Sequence, residues 1–477
     1  MINPVTRRDV VWGYMATALN VGGGLILLPV ILRYLPSEDV GLWFVFITLA
    51  SLAQLLEMGF QPTLARNAAY INAGAQNLNM VGLPTEMSSA GQINRVLLDS
   101  LVAAARRIYL TVAILAALVL LIAGTYYIST LLAPNQEPNN SLLAWLAFAS
   151  GYIINFYYGY INGLLQGRGD VTQANKVVIL SRSVFIIFGG SAVALGYGMV
   201  GLGLASMLAA ISGRIAAHRY FHLNYTPSTQ IDKSTDIKSR QAMIKMLWHN
   251  ASRLGAVQVG AFLIQRGNIL IASSYLGLAT AASYGLTVTI LLILSSISMV
   301  ICQIQLPYIT TLQSKGNKSD LISIYSEIAV ASWAIYLTGL IAVCFFSDDI
   351  FDLIGSRTHL IEHPLLFVLG VVLLLELNHS IAATYLTTKN NIPFVKSALL
   401  SGLAILVATF HAVIPFGVTG LILSQGLIQA AYNNWKWPLM VAKDLEVSII
   451  SILQLGSKNI GAKIFRKVFI QQKEPDQ

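Results

Sequence analysis

Residues 106–141 read RRIYLTVAILAALVLLIAGTYYISTLLAPNQEPNNS. Two arginines open the stretch, no charge follows from Ile108 to Leu132, and residues 133–141 hold neither Lys nor Arg. An uncharged apolar run of this length spans a bilayer as a helix, for which roughly 20 residues suffice. The basic end marks its cytoplasmic side by the positive-inside rule. The same alternation governs the rest of the chain. All but five of the 30 Lys and Arg residues fall at a terminus, in every second connection or within about a turn of the span ends that border it, and the remaining connections hold only Arg33 and Arg357. Arg182, Arg253 and Arg266 complete the five and lie inside apolar spans.

Composition allows no soluble alternative. Only 11% of the 477 residues are charged, 55% are hydrophobic, and the mean hydropathy is +0.66. Soluble domains carry about 25% charged residues, so this chain cannot cover a water-facing surface. Twelve spans are predicted, at 10–33, 40–61, 108–132, 142–165, 175–195, 198–217, 247–275, 281–308, 322–346, 365–387, 395–416 and 418–440. The expected fold is an all-α integral membrane protein with both termini cytoplasmic. The net charge of +9 is spread over cytoplasmic loop ends, where it meets anionic lipid headgroups rather than nucleic acid. Cys302 and Cys344 lie within spans and read as packing residues rather than a disulfide or metal site. The first apolar stretch is too long for a signal peptide and is expected to remain as the first helix.

The chain reads as two related halves. GMVGLGLA at 198–205 and GVTGLILS at 417–424 each open a helix after a short outer turn. Tyr34-Leu35 with Gly41-Leu42 corresponds to Tyr275-Leu276 with Gly285-Leu286. Both halves start inside, which is a parallel repeat about an axis along the membrane normal. The expected organisation is one six-helix bundle over 1–223, a linker over 224–245, a second six-helix bundle over 246–443 and a tail over 444–477. Residues 63–100 are predicted to include an amphipathic surface helix. In 446–470, Ile460, Ile464 and Val468 form a stripe beside Lys458, Lys463, Arg466 and Lys467, the pattern of a helix in the headgroup layer. Gly22-Gly23-Gly24 and Pro29 predict a bendable first helix.

Charges inside the spans are the candidate functional residues, since they face cavities or partners by default. Arg266 lies past the middle of its span, and Arg253 is about four turns away on the same helix. Arg182 either faces a cavity or reaches the inner surface by snorkelling. A guanidinium fork suits phosphate oxygens, so a row of arginines implies an anionic passenger. Glu376 lies mid-span with His379 three residues on, on the same face. It is either a proton-exchanging carboxylate or a structural partner for an arginine. Glu57 lies near an inner helix end. No catalytic constellation, phosphate-binding loop or metal-ligand spacing is present in the sequence, and the longest outer connection, 347–363, is too small for a catalytic domain. No cofactor is expected.

The segment LLEMGFQPTLARN at 55–67, continuing through Gly74-Ala75 and Gly82-Leu83, resembles the acidic-x-Gly-Phe…Arg segment of bacterial O-antigen (Wzx-type) flippases. These belong to the multidrug/oligosaccharidyl-lipid/polysaccharide exporter superfamily. The twelve spans and two halves resemble the same superfamily over nearly the whole chain. The resemblance implies a V-shaped pair of six-helix bundles in the bacterial inner membrane. It also implies flipping of an undecaprenyl-diphosphate-linked oligosaccharide, the O-antigen repeat unit of lipopolysaccharide biosynthesis, by alternating access. Expected partners are that lipid, membrane lipids, a polysaccharide polymerase and a chain-length regulator. Substrate contacts are expected at Arg266, Arg253, Arg33 and Arg182. Coupling to a proton or sodium gradient is expected at Glu376, His379 and Glu57, although the family often has Asp where this chain has Glu57. The rival readings are a cation-coupled multidrug exporter of the same fold, which would want acidic residues in its cavity, a membrane glycosyltransferase such as a polymerase or ligase, which would want a large outer loop, and a non-transporting scaffold, which would not need mid-span Arg and Glu.

Overall fold

In the computed structural model the described residues are 7–469, except 58, 80–85, 87, 89–91, 133–137, 224, 226–232, 315 and 390–392. Side chains are not described for 7–10, 21, 138, 233–240, 242, 249–254, 314 and 463–469. All regular structure among the described residues is helical. The chain forms two compact units. One comprises Met1–Phe262, Gly277–Ala279 and Ile354–Thr358, and the other Leu263–Leu276, Thr280–Leu353 and His359–Gln477.

The first unit holds α1 (Arg7–Tyr34), α2 (Ser37–Gln54), α3 (Phe60–Asn72), α4 (Arg95–Ala117), α5 (Thr125–Leu131), α6 (Pro138–Tyr157), α7 (Gly159–Gly167), α8 (Val171–Ala194) and α9 (Gly198–Leu223). Helix α10 (Lys233–Gln265) runs to the division between the units. The second unit holds α11 (Gly267–Tyr275), α12 (Leu278–Ser314), α13 (Lys318–Ile354), α14 (His363–Thr387), α15 (Val395–Ala431), α16 (Asn433–Asp444) and α17 (Ile449–Phe469). Among the described residues, nine helical stretches are long and apolar enough to cross a membrane. The difference from the twelve expected spans lies at helix breaks. The span at 142–165 is divided at Tyr158 into α6 and α7, and that at 247–275 is divided at Arg266 into α10 and α11. The last two spans form one stretch, Val395–Asp444, with a kink at Gly417.

Small residues let the helices of the first unit approach closely, as membrane packing requires in the absence of a hydrophobic drive between helices. A Cβ at Gly203 of α9 would fall 2.3 Å from the Ala144 carbonyl oxygen of α6. Elsewhere on α9, the Ser181 hydroxyl of α8 donates to the Ala209 carbonyl at 3.0 Å. Between α4 and α5, residues Leu118–Gly124 widen into a π-helical turn. Gly124 meets the Trp145 ring there, with 2.6 Å from its Cβ position to Cζ2, and the indole N–H donates to Thr125 Oγ1 at 3.0 Å. Trp145 joins Phe46 and Phe148 in the unit's aromatic core. Overpacking a close contact costs typically 1–3 kcal/mol. Gly203→Val is therefore expected to lower the thermal midpoint of the purified protein by several degrees, whereas Gly22→Ala, with nothing within 4 Å, should leave it unchanged or raised. Equal midpoints for the two variants would contradict this packing.

The two glycine-rich octets play the same part in their respective units. Gly198 and Gly417 both adopt positive φ, 54° and 55°, a region that favours glycine. Three residues on, a Cβ at Gly201 would meet Ala192 Cβ at 2.6 Å and one at Gly420 would meet the Ala412 oxygen at 2.4 Å. Each octet thus turns the chain and folds its helix back against the preceding one.

Within 63–100, α3 is amphipathic, with Pro62 and Arg66 exposed and its other face buried, and residues 80–85, 87 and 89–91 lie outside the described residues. Gly59, at φ 72°, starts α3, which buries Phe60, Leu64, Ala68 and Ile71. It packs on α7, where a Cβ at Gly167 would fall 2.2 Å from the Ala65 oxygen. Helix α17 packs one face on α13: a Cβ at Gly456 would fall 2.3 Å from the Ser326 oxygen, and the Asn459 amide donates to Ser323 Oγ at 2.8 Å. Its basic residues Lys463, Arg466 and Lys467 lie outside the described side chains. Helix α1 is unbroken through Gly22-Gly23-Gly24 and Pro29.

Candidate functional site

In the second unit the polar groups gather where helices break. Arg266 ends the run of α10 with φ −121° and ψ −25° and stands at the N-cap of α11. A half-buried arginine therefore sits beside the N-terminal end of an in-membrane helix, where unpaired N–H groups and the helix dipole favour negative charge. Tertiary bonds explain why the helix breaks here. Asn268, 1% exposed, donates to the Leu421 carbonyl at 3.2 Å, and Thr409 donates to Asn268 Oδ1 at 3.1 Å. The Asn268 amide also lies 3.5 Å from the Tyr284 hydroxyl. A Cβ at Gly267 would fall 2.7 Å from Leu406 Cδ2, so a larger residue would require that side chain to shift. The expectation of an unbroken span carrying Arg253 and Arg266 is corrected accordingly. The Arg253 side chain, with that of His249, lies outside the described residues.

Glu376 of α14 is 4% exposed and accepts a hydrogen bond from Gln425 Nε2 of α15 at 2.7 Å. Its partner comes from a different helix, not from His379 three residues along. One turn beyond Gln425, Gln429 Oε1 accepts from Asn433 Nδ2 at 2.7 Å, which also donates to Ser401 Oγ at 2.8 Å. Trp437 Nε1 donates to Asn433 Oδ1 at 3.1 Å. Gln429 also lies within hydrogen-bonding reach of Glu376, and Asn434 of His379. A buried carboxylate within a network of amides beside an imidazole is chemically suited to proton or cation exchange.

In the first unit, Glu57 accepts from the Tyr109 hydroxyl of α4 at 2.9 Å. Arg214 of α9 lies within electrostatic range of it. Arg214 Nε donates to Asn155 Oδ1 at 2.8 Å, and Nη1 donates at 3.4 Å to the carbonyl of Tyr158, the residue between α6 and α7. Sequence reasoning assigned Arg214 to the cytoplasmic connection and missed it. The signal was its place inside the apolar run 198–217. Arg182 is exposed and donates to Asn20 Oδ1 of α1 from both Nε and Nη2, at 3.1 and 2.7 Å. Arg33 is exposed at the end of α1, 5.7 Å from the centre of the Tyr34 ring. Glu57 falls in the first unit and Glu376 in the second.

Residues 6–313 match the family described as "Polysaccharide biosynthesis protein". Comparison with curated proteins finds no match. Among solved structures, the chain is similar to an inward-facing multidrug resistance transporter of the MATE family and MOP superfamily. That similarity has 15% identity and a TM-score of 0.64, covering 92% of this chain and 99% of the other. It is also similar to the lipid II flippase MurJ in an inward closed conformation, with 12% identity and a TM-score of 0.62, covering 98% and 94%. A third is a MOP-superfamily transporter from Pyrococcus furiosus with a binding pocket of reverse polarity, with 14% identity and a TM-score of 0.52, covering 92% and 96%. At these identities the likeness shows the fold. With a family match over residues 6–313, the chain is a multi-pass membrane protein that belongs to the polysaccharide biosynthesis protein family and has the fold of MOP-superfamily transporters.

Proposed function

We propose that the protein is a flippase for an undecaprenyl-diphosphate-linked oligosaccharide, of the O-antigen repeat-unit type, in the bacterial inner membrane. Arg266 at the α10–α11 break carries this reading. A fixed fork of donors beside a helix N-terminus matches a diphosphate, and the family is one of polysaccharide biosynthesis. Arg253, Arg33 and Arg182 are the further proposed substrate contacts. Glu376, flanked by His379, is the coupling carboxylate, with Glu57 a second acidic group, and a proton or sodium gradient drives the cycle. A polymerase and a chain-length regulator would use the product. The second reading, a drug exporter, rests on structural neighbours described as multidrug transporters.

Reconstitution separates them. Wild-type proteoliposomes are expected to move a fluorescently labelled undecaprenyl-diphosphate-linked saccharide between leaflets and to leave cationic dyes in place. Dye export without lipid flipping would favour the drug exporter. Orientation is tested by reporter fusions. Those after residues 90, 230 and 470 are expected to read cytoplasmic, and those after 137 and 355 periplasmic, from the alternating loop charges. A periplasmic signal at 230 would overturn the two-half arrangement.

A further inference from the structure

The first unit contains a cavity of about 430 Å³ whose lining includes Asn72, Gln92, Arg95, Arg168, Phe221 and Tyr225. The volume lies within the roughly 300–1,000 Å³ typical of small-molecule sites. The cavity lies at the α4 end that opens with Arg95 and Asn94, on the side that the loop charges assign to the cytoplasm. Nothing in the preceding reading uses it.

Its electrostatics argue against a phosphate. Arg168 is bonded through Nε to Asp170 and through its two terminal nitrogens to the carbonyls of Phe221 and Tyr220, at 3.2 and 3.3 Å. Its charge is matched by Asp170, and three of its five N–H donors are engaged. Arg95 has no partner among the described residues, but Asp99 lies one turn along on the same helix face and is bonded by the Tyr225 hydroxyl. Arg95 and Arg168 line the cavity, and an aspartate outside the lining stands near each, Asp170 bonded to Arg168 and Asp99 one turn from Arg95. A phosphate wants donors only, whereas this lining also offers acceptors: Asn72 spends its Nδ2 on the Ala68 carbonyl at 2.8 Å, which leaves its Oδ1 free to accept, and the Gln92 amide supplies both roles.

The rings supply the other half of the chemistry. Phe221 and Tyr225 stack with centroids 4.8 Å apart, and the Arg168 guanidinium lies 5.2 Å from the Phe221 centre. Burial, then the bond to Asp99, raise the Tyr225 pKa above the ordinary phenol value, so the ring remains a neutral surface at physiological pH. A cavity of mixed donors and acceptors, bordered by the Tyr225 ring and with an aspartate near each of its arginines, suits a ligand whose hydroxyls both donate and accept and whose C–H faces are apolar.

We infer that this cavity is a carbohydrate subsite, which takes uncharged sugar units of the passenger on the cytoplasmic side, apart from the arginines assigned to the diphosphate. The inference rests on the flippase reading above. It predicts that sugar and diphosphate contribute to affinity through separate residues.

The test compares two probes, undecaprenyl diphosphate and undecaprenyl-diphosphate-N-acetylglucosamine, binding to the full-length protein in nanodiscs by thermophoresis. Wild type is expected to bind the sugar-bearing lipid at least tenfold more tightly. Leu98→Trp, which fills the cavity, should erase that preference and leave affinity for the bare lipid unchanged. Gln92→Ala, at an exposed position, should reduce the preference about threefold and keeps the test valid if the tryptophan variant fails to fold. Binding of both lipids with no sugar preference overturns the subsite and leaves the flippase reading standing. A preference untouched in both variants overturns it too, as does loss of bare-lipid affinity in Leu98→Trp, which would mark a phosphate site. If wild type binds neither lipid, the flippase reading and the subsite fall together.

Discussion

Replacing Arg266 with alanine is expected to reduce transport of the lipid-linked saccharide about a hundredfold while the protein remains at normal levels in the membrane. Hydrogen bonds to charged groups contribute about 1.5–3 kcal/mol each, and a bidentate guanidinium–phosphate contact makes two. Their loss is thus about 3 kcal/mol or more, and each 1.4 kcal/mol is a factor of ten. The helix already breaks at this residue, and the Asn268 bonds to Leu421 and Thr409 hold the break without the guanidinium, so the fold should survive. Arg266→Lys keeps the charge and loses the fork, and about a tenth of wild-type flux should remain. Surface polysaccharide in a complemented deletion strain, with membrane abundance by immunoblot, reads both effects. Normal export by the alanine variant would make the arginine structural or surplus.

Replacing Glu376 with glutamine is expected to leave lipid binding intact and to abolish the response of flux to a pH gradient. The amide retains an oxygen that accepts from Gln425 Nε2, as the carboxylate does, so packing at this buried position should hold. What disappears is the exchangeable charge. In the proposed cycle the carboxylate takes a proton from the acidic outer side and releases it inside, so an outward-acid gradient accelerates wild type. A permanently neutral side chain mimics the protonated state and stalls the reset. Flux in proteoliposomes with the gradient imposed, reversed and absent separates the outcomes. Should wild type ignore every pH gradient but follow a sodium gradient, the proton is the wrong ion. Should the glutamine variant respond as wild type does, Glu376 is not the coupling group.

Apolar composition and loop charge made the helical membrane class legible, because the bilayer demands long hydrogen-bonded apolar runs wherever they occur. The glycine-rich octets announced a repeated turn because positive φ at Gly198 and Gly417 demands a particular residue type. The breaks at Tyr158 and Arg266 were not legible. Each is stabilised by a side chain distant in sequence, Arg214 bonding the Tyr158 carbonyl and Thr409 bonding Asn268, and no local pattern encodes that. Glu376 stood out as a mid-span carboxylate, but its partner Gln425 lies on α15 and no spacing rule links the two. Arg214 was hidden by arithmetic of another kind: a charge near a span end reads as loop charge until its neighbours, Asn155 and Glu57, are seen beside it. Helix α3 was legible as amphipathic, but the partner of its buried face was not: its small residues meet the glycines of α7, about a hundred residues along the chain.

The central claim is that this chain carries a diphosphate-linked saccharide across the bilayer by means of Arg266. The most direct measurement is the rate at which a labelled undecaprenyl-diphosphate-linked saccharide, loaded in one leaflet of a proteoliposome, becomes accessible to a membrane-impermeant quencher in the other. The account predicts rapid protein-dependent exposure with wild type and a rate near that of protein-free liposomes with Arg266→Ala. Equal rates for wild type and protein-free liposomes, or for wild type and the alanine variant, would contradict it.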